Sequence, residues 1–460
     1  MTPRTKVLPP PPSYDIDCET LIIGAGACGL VAALSAHEAG QNVLVIEADA
    51  VPSGSTALSA GLIPAAGTAI QTAAGITDSP AQFAADIQAK AKDENDPALV
   101  DHITAHAAEV IDWLAHDHDL PFSLVSDFDY PGHSQRRMHG LPTRSGAELI
   151  DALRTRCEMF GIDIICERRA FALFSDRDQI TGIAVSCPDG GQETLGCARL
   201  ILACNGFGGN RDLVARHMPN IQDGLWFGHD GNKGEAILWA DQIGAQTAHL
   251  GAYQGHGNVA HPHGILITWA VITEGGFQVN RDAKRFWNEA QGYSEAARAV
   301  LSQPGGTAYA IFDARIAAIA GQFEDFKRAQ QVGAIKTADT LEGLADALGV
   351  PPGQLCDTAA QIPLGGTDAF GRSFAPAALA PPFMGVAVTG ALFHTQGGLK
   401  IAPSGRVLHK DGREFATLYA GGGAACGVSG RGDSGYLSGN GLLSAVVLGR
   451  ICGRNAGTSP

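Results

Sequence analysis

The sequence predicts an α/β fold with a parallel sheet and more than one domain. Residues 19–46 read as strand, glycine-rich turn, helix and second strand in unbroken order, and the second strand closes on an acidic residue, Glu47. The third observation is size: 460 residues with 45% apolar and 17% charged side chains fill more than one core and are too apolar to stay unfolded.

The chain opens on residues 1–14, where a run of four prolines reads as an extended, flexible tail. That stretch has no apolar segment suited to a secretory signal, and no segment offers about 20 uninterrupted apolar residues for a membrane span. The ten cysteines include no C-x-x-C pair, so no metal site is expected, and reduced thiols in a cytoplasmic protein are. A net charge of −15 speaks against a nucleic-acid partner, whose phosphates need clustered Lys and Arg.

Residues 19–23 form a short apolar run, a buried parallel strand by pattern. Gly24-Ala25-Gly26-Ala27-Cys28-Gly29 follows and matches G-x-G-x-x-G. Residues 30–39 read as helix, ended by Gly40. Residues 42–46 form the second strand, and Glu47 stands eighteen residues after Gly29. Gly24 permits the tight turn, Gly26 lets a pyrophosphate reach the backbone, and Gly29 lets helix and strand pack closely. The helix N-terminus faces the phosphates, and Glu47 binds ribose hydroxyls. With every part in register, the unit predicts a bound dinucleotide.

Gly54-Ser55-Thr56-Ala57-Leu58-Ser59-Ala60-Gly61 comes next, a run of small residues and hydroxyls suited to lie against a flat ring. With it the chain resembles the flavoprotein family of fumarate reductases and succinate dehydrogenases, which also holds ketosteroid dehydrogenases and related carbonyl desaturases. The likeness runs from about residue 18 to 453 and is nearer the desaturase branch. It implies a Rossmann-like FAD-binding domain, discontinuous over 15–254 and 392–460, and an inserted α+β capping domain over 255–391. Ala25 and Cys28 in the first turn, then Ala48, Gly54, Ser55, Thr56, Ser59, Ala60 and Gly61, are implied as cofactor contacts. Covalent members attach FAD through a His in a G-S-H-T-like stretch. Here Thr56 follows Ser55 directly, so noncovalent FAD is expected.

Two further segments carry the resemblance. Residues 199–210 are similar to the family's strand ending in A-T-G-G-F, with Cys204 and Asn205 in place of the commonest residues. Ala203, Asn205 and Gly206 are thereby expected at the cofactor. Residues 418–423 and 438–443 are similar to the family's closing segment. Gly422 stands where a cofactor-binding Glu is usual, and Asn440, Leu442 and Leu443 complete the set. A last helix over 441–451 would start at the flavin, its N-terminal partial charge stabilising the reduced ring. Elsewhere, residues 162–186 alternate as a strand pair, and the insert holds helices over 294–301 and 340–348.

The catalytic readings follow from the same likeness. Residues 276–289 resemble the family's V-N-x-x-G-x-R-F-x-N-E signature, which implies that Arg285 carries the substrate proton; pairing with Glu289 inside the cap is the structural alternative. His394-Thr395-Gln396-Gly397-Gly398 is similar to H-T-x-G-G, which implies that His394 donates to a substrate oxygen with Gly397 beside it. His256 matches a second substrate histidine by its spacing from Arg285. Trp269 and Ile272 stand where fumarate-type members carry a relay Glu and Arg, and Tyr436 stands where they carry a carboxylate-clamping Arg. A dicarboxylate needs such clamps to offset its desolvation. Tyr436 is similar to the Y-P-G tyrosine of ketosteroid dehydrogenases, with Leu437 for the proline and Gly439 nearby; packing under the flavin is its structural alternative.

The expectation is a dehydrogenase that introduces a C=C bond next to the carbonyl or carboxylate of a small ketone or keto-acid, cyclic ones included. Arg285 or Tyr436 takes the α-proton, the β-hydride goes to flavin N5, and an external acceptor (oxygen, quinone or a carrier protein) drains the electrons. The alternatives are an ene-reductase working on an unsaturated carboxylate and an FAD-binding sensor without catalysis.

Overall fold

In a computed structural model, described over residues 5–126 and 130–457, the chain forms two compact units. The first takes the chain up to His217, then Gly228–Tyr253 and the part from His394 on; the second takes Met218–Phe227 and Gln254–Phe393.

The first unit is built on a nine-stranded sheet. Strand Ile16–Ile23, buried in its second half, runs parallel to Val43–Ile46 on one side and to Gln192–Leu202 on the other. Gln192–Leu202 then divides its free edge. Residues 192–196 pair antiparallel with Gln179–Ser186, and residues 200–202 pair parallel with Glu414–Ala420. Four parallel strands therefore finish together at Ile23, Ile46, Leu202 and Ala420, where open α/β sheets bind their ligands.

Helix Ala27–Glu38 buries ten of its twelve residues. It begins three residues before the expected start because Gly29 lies inside its first turn, where a Cβ would stand 1.8 Å from the Gly24 carbonyl oxygen. The closing helix, Asn440–Gly457, packs along it. This helix was expected to stop near 451. It runs on through Gly453, where a Cβ would lie 2.3 Å from the Ala32 carbonyl oxygen, so that glycine serves a helix contact.

The expectation of a flexible tail needs correction. Lys6–Leu8 is an edge strand, parallel to Arg169–Asp176 in the same sheet, because the backbone donors and acceptors of that edge find partners there. Residues 1–4 of the expected tail lie outside the described residues. Arg169–Asp176 and Gln179–Ser186 form the alternating pair as an antiparallel hairpin. Gly54–Ala57, expected as loop, is one helical turn.

The second unit has strand Phe383–Thr395 as its spine. Thr307–Asp313 and Ile335–Ala338 lie antiparallel to it, and Leu225–Trp226 lies parallel. Those last two residues draw segment 218–227 into this unit, although in sequence it sits within the expected first domain. Helices Tyr293–Leu301 and Leu341–Leu348 occupy the expected stretches, the second capped by the Thr340 hydroxyl at 3.1 Å from the Gly343 amide. Phe312, Ile316, Phe326, Val386 and Val388 form the centre of its own core. Among the described residues no helix is long and apolar enough to cross a membrane, and no His, Cys, Asp and Glu group could hold a metal ion.

Candidate active site

The converging strand ends of the first unit make a cradle. Gly24 has φ of 104°, and a Cβ there would lie 2.5 Å from the Ala203 carbonyl oxygen, so the first and third turns touch. Gly26 caps helix Ala27–Glu38 without a side-chain hydrogen bond, and no acidic residue sits in the first turn. A Cβ on Gly26 would meet only Thr56 Oγ1, at 3.7 Å. The helix N-terminus thus opens on space fit for a diphosphate. Glu47, 8% exposed, accepts from the amides of Ala25 at 2.7 Å and Asp49 at 3.0 Å. Each carboxylate oxygen keeps a lone pair for a ribose hydroxyl. These donors and acceptors fit FAD.

The small-residue loop folds onto that turn. Thr56 Oγ1 accepts from the Ala27 amide at 3.2 Å, and Ser59 Oγ donates to the Thr56 carbonyl at 2.7 Å. Ser55 Oγ accepts from Asn205 Nδ2 at 2.8 Å and from Asn232 Nδ2 at 3.1 Å. Asn205 has φ of 65°, a conformation its short polar side chain supports by accepting from the Gly206 amide at 2.9 Å. That explains the departure from the family's usual residue. Gly422 lies against Cys28, where its Cβ would be 3.1 Å from that of the cysteine. Leu443 is buried and Leu442 partly so at the start of the closing helix. Asn232 and His229, which pairs with Asp49 at 2.7 Å, belong to this cradle and have no motif to announce them.

His394 and Tyr436 meet in the same unit, ring centres 5.5 Å apart and nearly perpendicular. Burial pushes the His394 imidazole down to about 4, so it is neutral at physiological pH. Burial pushes the Tyr436 phenol up to about 12, against smaller opposing effects from the backbone of Gly441 and Gly439. Gly397 and Gly439 are accounted for by packing. A Cβ on Gly397 would lie 1.9 Å from the His249 carbonyl oxygen, and one on Gly439 would lie 2.6 Å from Pro64.

In the second unit, His256 is stacked between Tyr293, at 5.1 Å and 20°, and Phe393, at 5.5 Å and 21°. Trp269 presents its edge to the same ring at 5.8 Å. Burial pushes His256 down to about 3, and its Nδ1 accepts from the Asn258 amide at 3.2 Å. Tyr293 is a residue the sequence reading missed. Its only signal was an aromatic standing between Gly292 and an expected helix.

Arg285 belongs to the same unit, its guanidinium 3.4 Å from the carbonyl of Trp287, whose ring lies 6.4 Å from that of Trp269. The guanidinium pairs with Glu289 and Asp368, and the rings of Phe370 and Phe374 lie 5.3 and 5.0 Å from it. Glu289 also takes Arg372 at 3.2 Å and the Gln278 amide at 2.9 Å. Burial works to lower the pKa of Arg285, but Glu289 and Asp368 outweigh it and raise it. Of the two roles the sequence allowed for Arg285, the pairing with Glu289 is present.

The FAD binding domain family matches residues 19–442. A probable fumarate reductase of Shewanella frigidimarina is 31% identical over 448 residues, 95% of this chain and 74% of its own. The solved open conformation of a flavocytochrome c3 fumarate reductase is 29% identical with a TM-score of 0.82, over 97% of this chain and 79% of that one. A 3-ketosteroid-Δ4-(5α)-dehydrogenase from Rhodococcus jostii shares the fold, with 22% identity and a TM-score of 0.78 over the whole of both chains. The chain belongs to the FAD binding domain family, among its fumarate reductase relatives, and is an FAD-dependent oxidoreductase acting on CH–CH groups.

Proposed function

We propose that the protein is a dehydrogenase that introduces a C=C bond α,β to the carbonyl of a small, apolar ketone or keto-acid, cyclic members included. The observation that carries this reading is the neutral, aromatic setting of His256, formed by Tyr293, Phe393 and Trp269. A dicarboxylate needs cationic clamps to offset its desolvation. Arg285 and Arg372 already serve Glu289 and Asp368, and Tyr436 stands where the resemblance would place a third guanidinium.

FAD, when bound, supplies a two-electron acceptor for hydride. The chain's residues handle the proton and the oxygen. Tyr293 takes the α-proton on its phenolic oxygen in this reading, in place of Arg285. It opens a nine-residue helix, whose N-terminal partial charge favours negative charge in that first turn. Arg285, with its proton held more tightly than usual, is a positioning residue that ties segment 285–289 to Asp368. His394 is neutral and donates a hydrogen bond to the oxygen that gains charge. Tyr436, protonated at neutral pH, adds a second donor to that oxygen rather than a base. The reading also takes FAD as noncovalent, the electron acceptor as external and the protein as cytoplasmic.

The names of the relatives favour a second reading, an ene-reductase acting on an unsaturated carboxylate such as fumarate. Anaerobic titration of the yellow protein separates the two. Bleaching by a saturated ketone or keto-acid supports the dehydrogenase and identifies the substrate class. Reoxidation of the pre-reduced protein by unsaturated acids, with no response to saturated ketones, overturns it.

A further inference from the structure

We infer that a directional hydrogen-bond chain, Asn440 to Ser429 to Gln396, holds His394 as the tautomer protonated on Nε2, making Gln396 a positioning residue for the donor that meets the substrate oxygen. The second half of this statement rests on the role proposed above for His394.

All four side chains belong to the first unit. Asn440 Nδ2 donates to Ser429 Oγ at 3.2 Å, Ser429 Oγ donates to Gln396 Oε1 at 2.7 Å, and Gln396 Nε2 donates to His394 Nδ1 at 2.8 Å. Asn440, Ser429 and Gln396 are 0%, 1% and 7% exposed, so water does not compete along the chain. His394 Nδ1 also lies 3.4 Å from the Thr395 carbonyl, but the Gln396 amide nitrogen is far closer at 2.8 Å and sets its role. A nitrogen that accepts from an amide carries no proton, and a neutral imidazole must then carry its proton on the other nitrogen.

The opposite polarity has an identifiable cost. Reversing both amides would let His394 Nδ1 donate to Gln396, but it would also set Gln396 Oε1 3.4 Å from the Thr395 carbonyl, acceptor against acceptor. As drawn, the second Gln396 hydrogen points towards that carbonyl instead. Gln396 occupies the variable place of the H-T-x-G-G stretch, where an apolar residue would leave Nδ1 free to take the proton. Packing helps to fix the ring: a Cβ on Gly441 would lie 2.9 Å from His394 Cε1.

The test is nitrogen NMR of 15N-histidine-labelled, FAD-loaded protein, with His394 assigned by the signals lost in His394→Gln. The expected spectrum at neutral pH has a bare Nδ1 and a protonated Nε2. Gln396→Glu offers only acceptors and should move the proton onto Nδ1. Gln396→Met should give a mixture of tautomers, as should Ser429→Ala, which guards against misfolding of either Gln396 variant. A wrong tautomer can cost an imidazole up to about 10⁴-fold in rate, and a loss of at least about tenfold in kcat is expected for Gln396→Glu. A native protein protonated on Nδ1, or spectra unchanged in all three variants, overturns the inference. Since NMR needs no substrate, a shifted tautomer with unchanged turnover would sink the proposed role of His394 and leave the hydrogen-bond chain standing.

Discussion

At the scale of the residue, the proposed reading gives Tyr293 the proton-handling role that the motif suggests for Arg285. Arg285 is buried against two carboxylates, and removing one member of a buried ion pair leaves its partner charged and unpaired. Arg285→Ala should therefore destabilise the protein by about 3–5 kcal/mol, measured by urea unfolding, and Arg285→Lys should recover part of that. Unchanged stability with abolished turnover would return Arg285 to the chemistry. Tyr293→Phe should keep FAD and melting temperature while lowering kcat by about 10²-fold or more, the usual worth of a positioned base. Full activity in that variant would remove Tyr293 from the mechanism. The motif around Arg285 was plain in the sequence. Its partner Asp368, 83 residues on, was not, because nothing local records which carboxylate a folded chain will bring.

At the scale of the element, the cradle depends on how closely turns and helices approach. Gly29 and Gly453 are both places where a methyl group would enter a neighbouring carbonyl. Gly29→Ala should lower stability by about 1–3 kcal/mol, the usual cost of overpacking, and reduce the FAD retained on purification. The check is the ratio of flavin to protein absorbance beside a thermal melt; full flavin content would mean that the turn tolerates a shift. The first strand, turn, helix and second strand were legible because their signals lie within 30 residues of one another. The helix ends were not. The first helix starts before Gly29 and the last runs on past Gly453, and both glycines are contact points inside helices, Gly29 against Gly24 and Gly453 against the distant Ala32.

At the scale of the whole molecule, both units hold imidazoles away from water. Burial pushes His133, His139 and His394 down to about 4 and His256 down to about 3, from an ordinary 6.5. Between pH 6.5 and about 4 the unfolded chain binds protons that the folded chain refuses. Stability therefore rises with pH across that window and is lost as pH falls through it, by at most about 1.4 kcal/mol per imidazole per pH unit. Thermal melts at stepped pH should show the midpoint dropping steadily below pH 6.5, and a flat profile down to pH 4 would contradict these burials. Acid unfolding should also release all the flavin into a protein-free filtrate. Flavin left on the precipitated chain would disprove the noncovalent reading.

The sequence by itself determined the parallel sheet, the dinucleotide turn and the ribose acid, because hydrophobic period and glycine spacing are local properties of a chain, while the insert came from the family resemblance. It also marked His394 and Tyr436. Only tertiary structure decided that Arg285 answers to Asp368, that Asn232 joins Asn205 on Ser55, and that Tyr293 stacks on His256. Those pairings join residues 37–177 positions apart. A hydrogen bond or an ion pair depends on distance and burial in the folded chain, and neither is written in the order of residues.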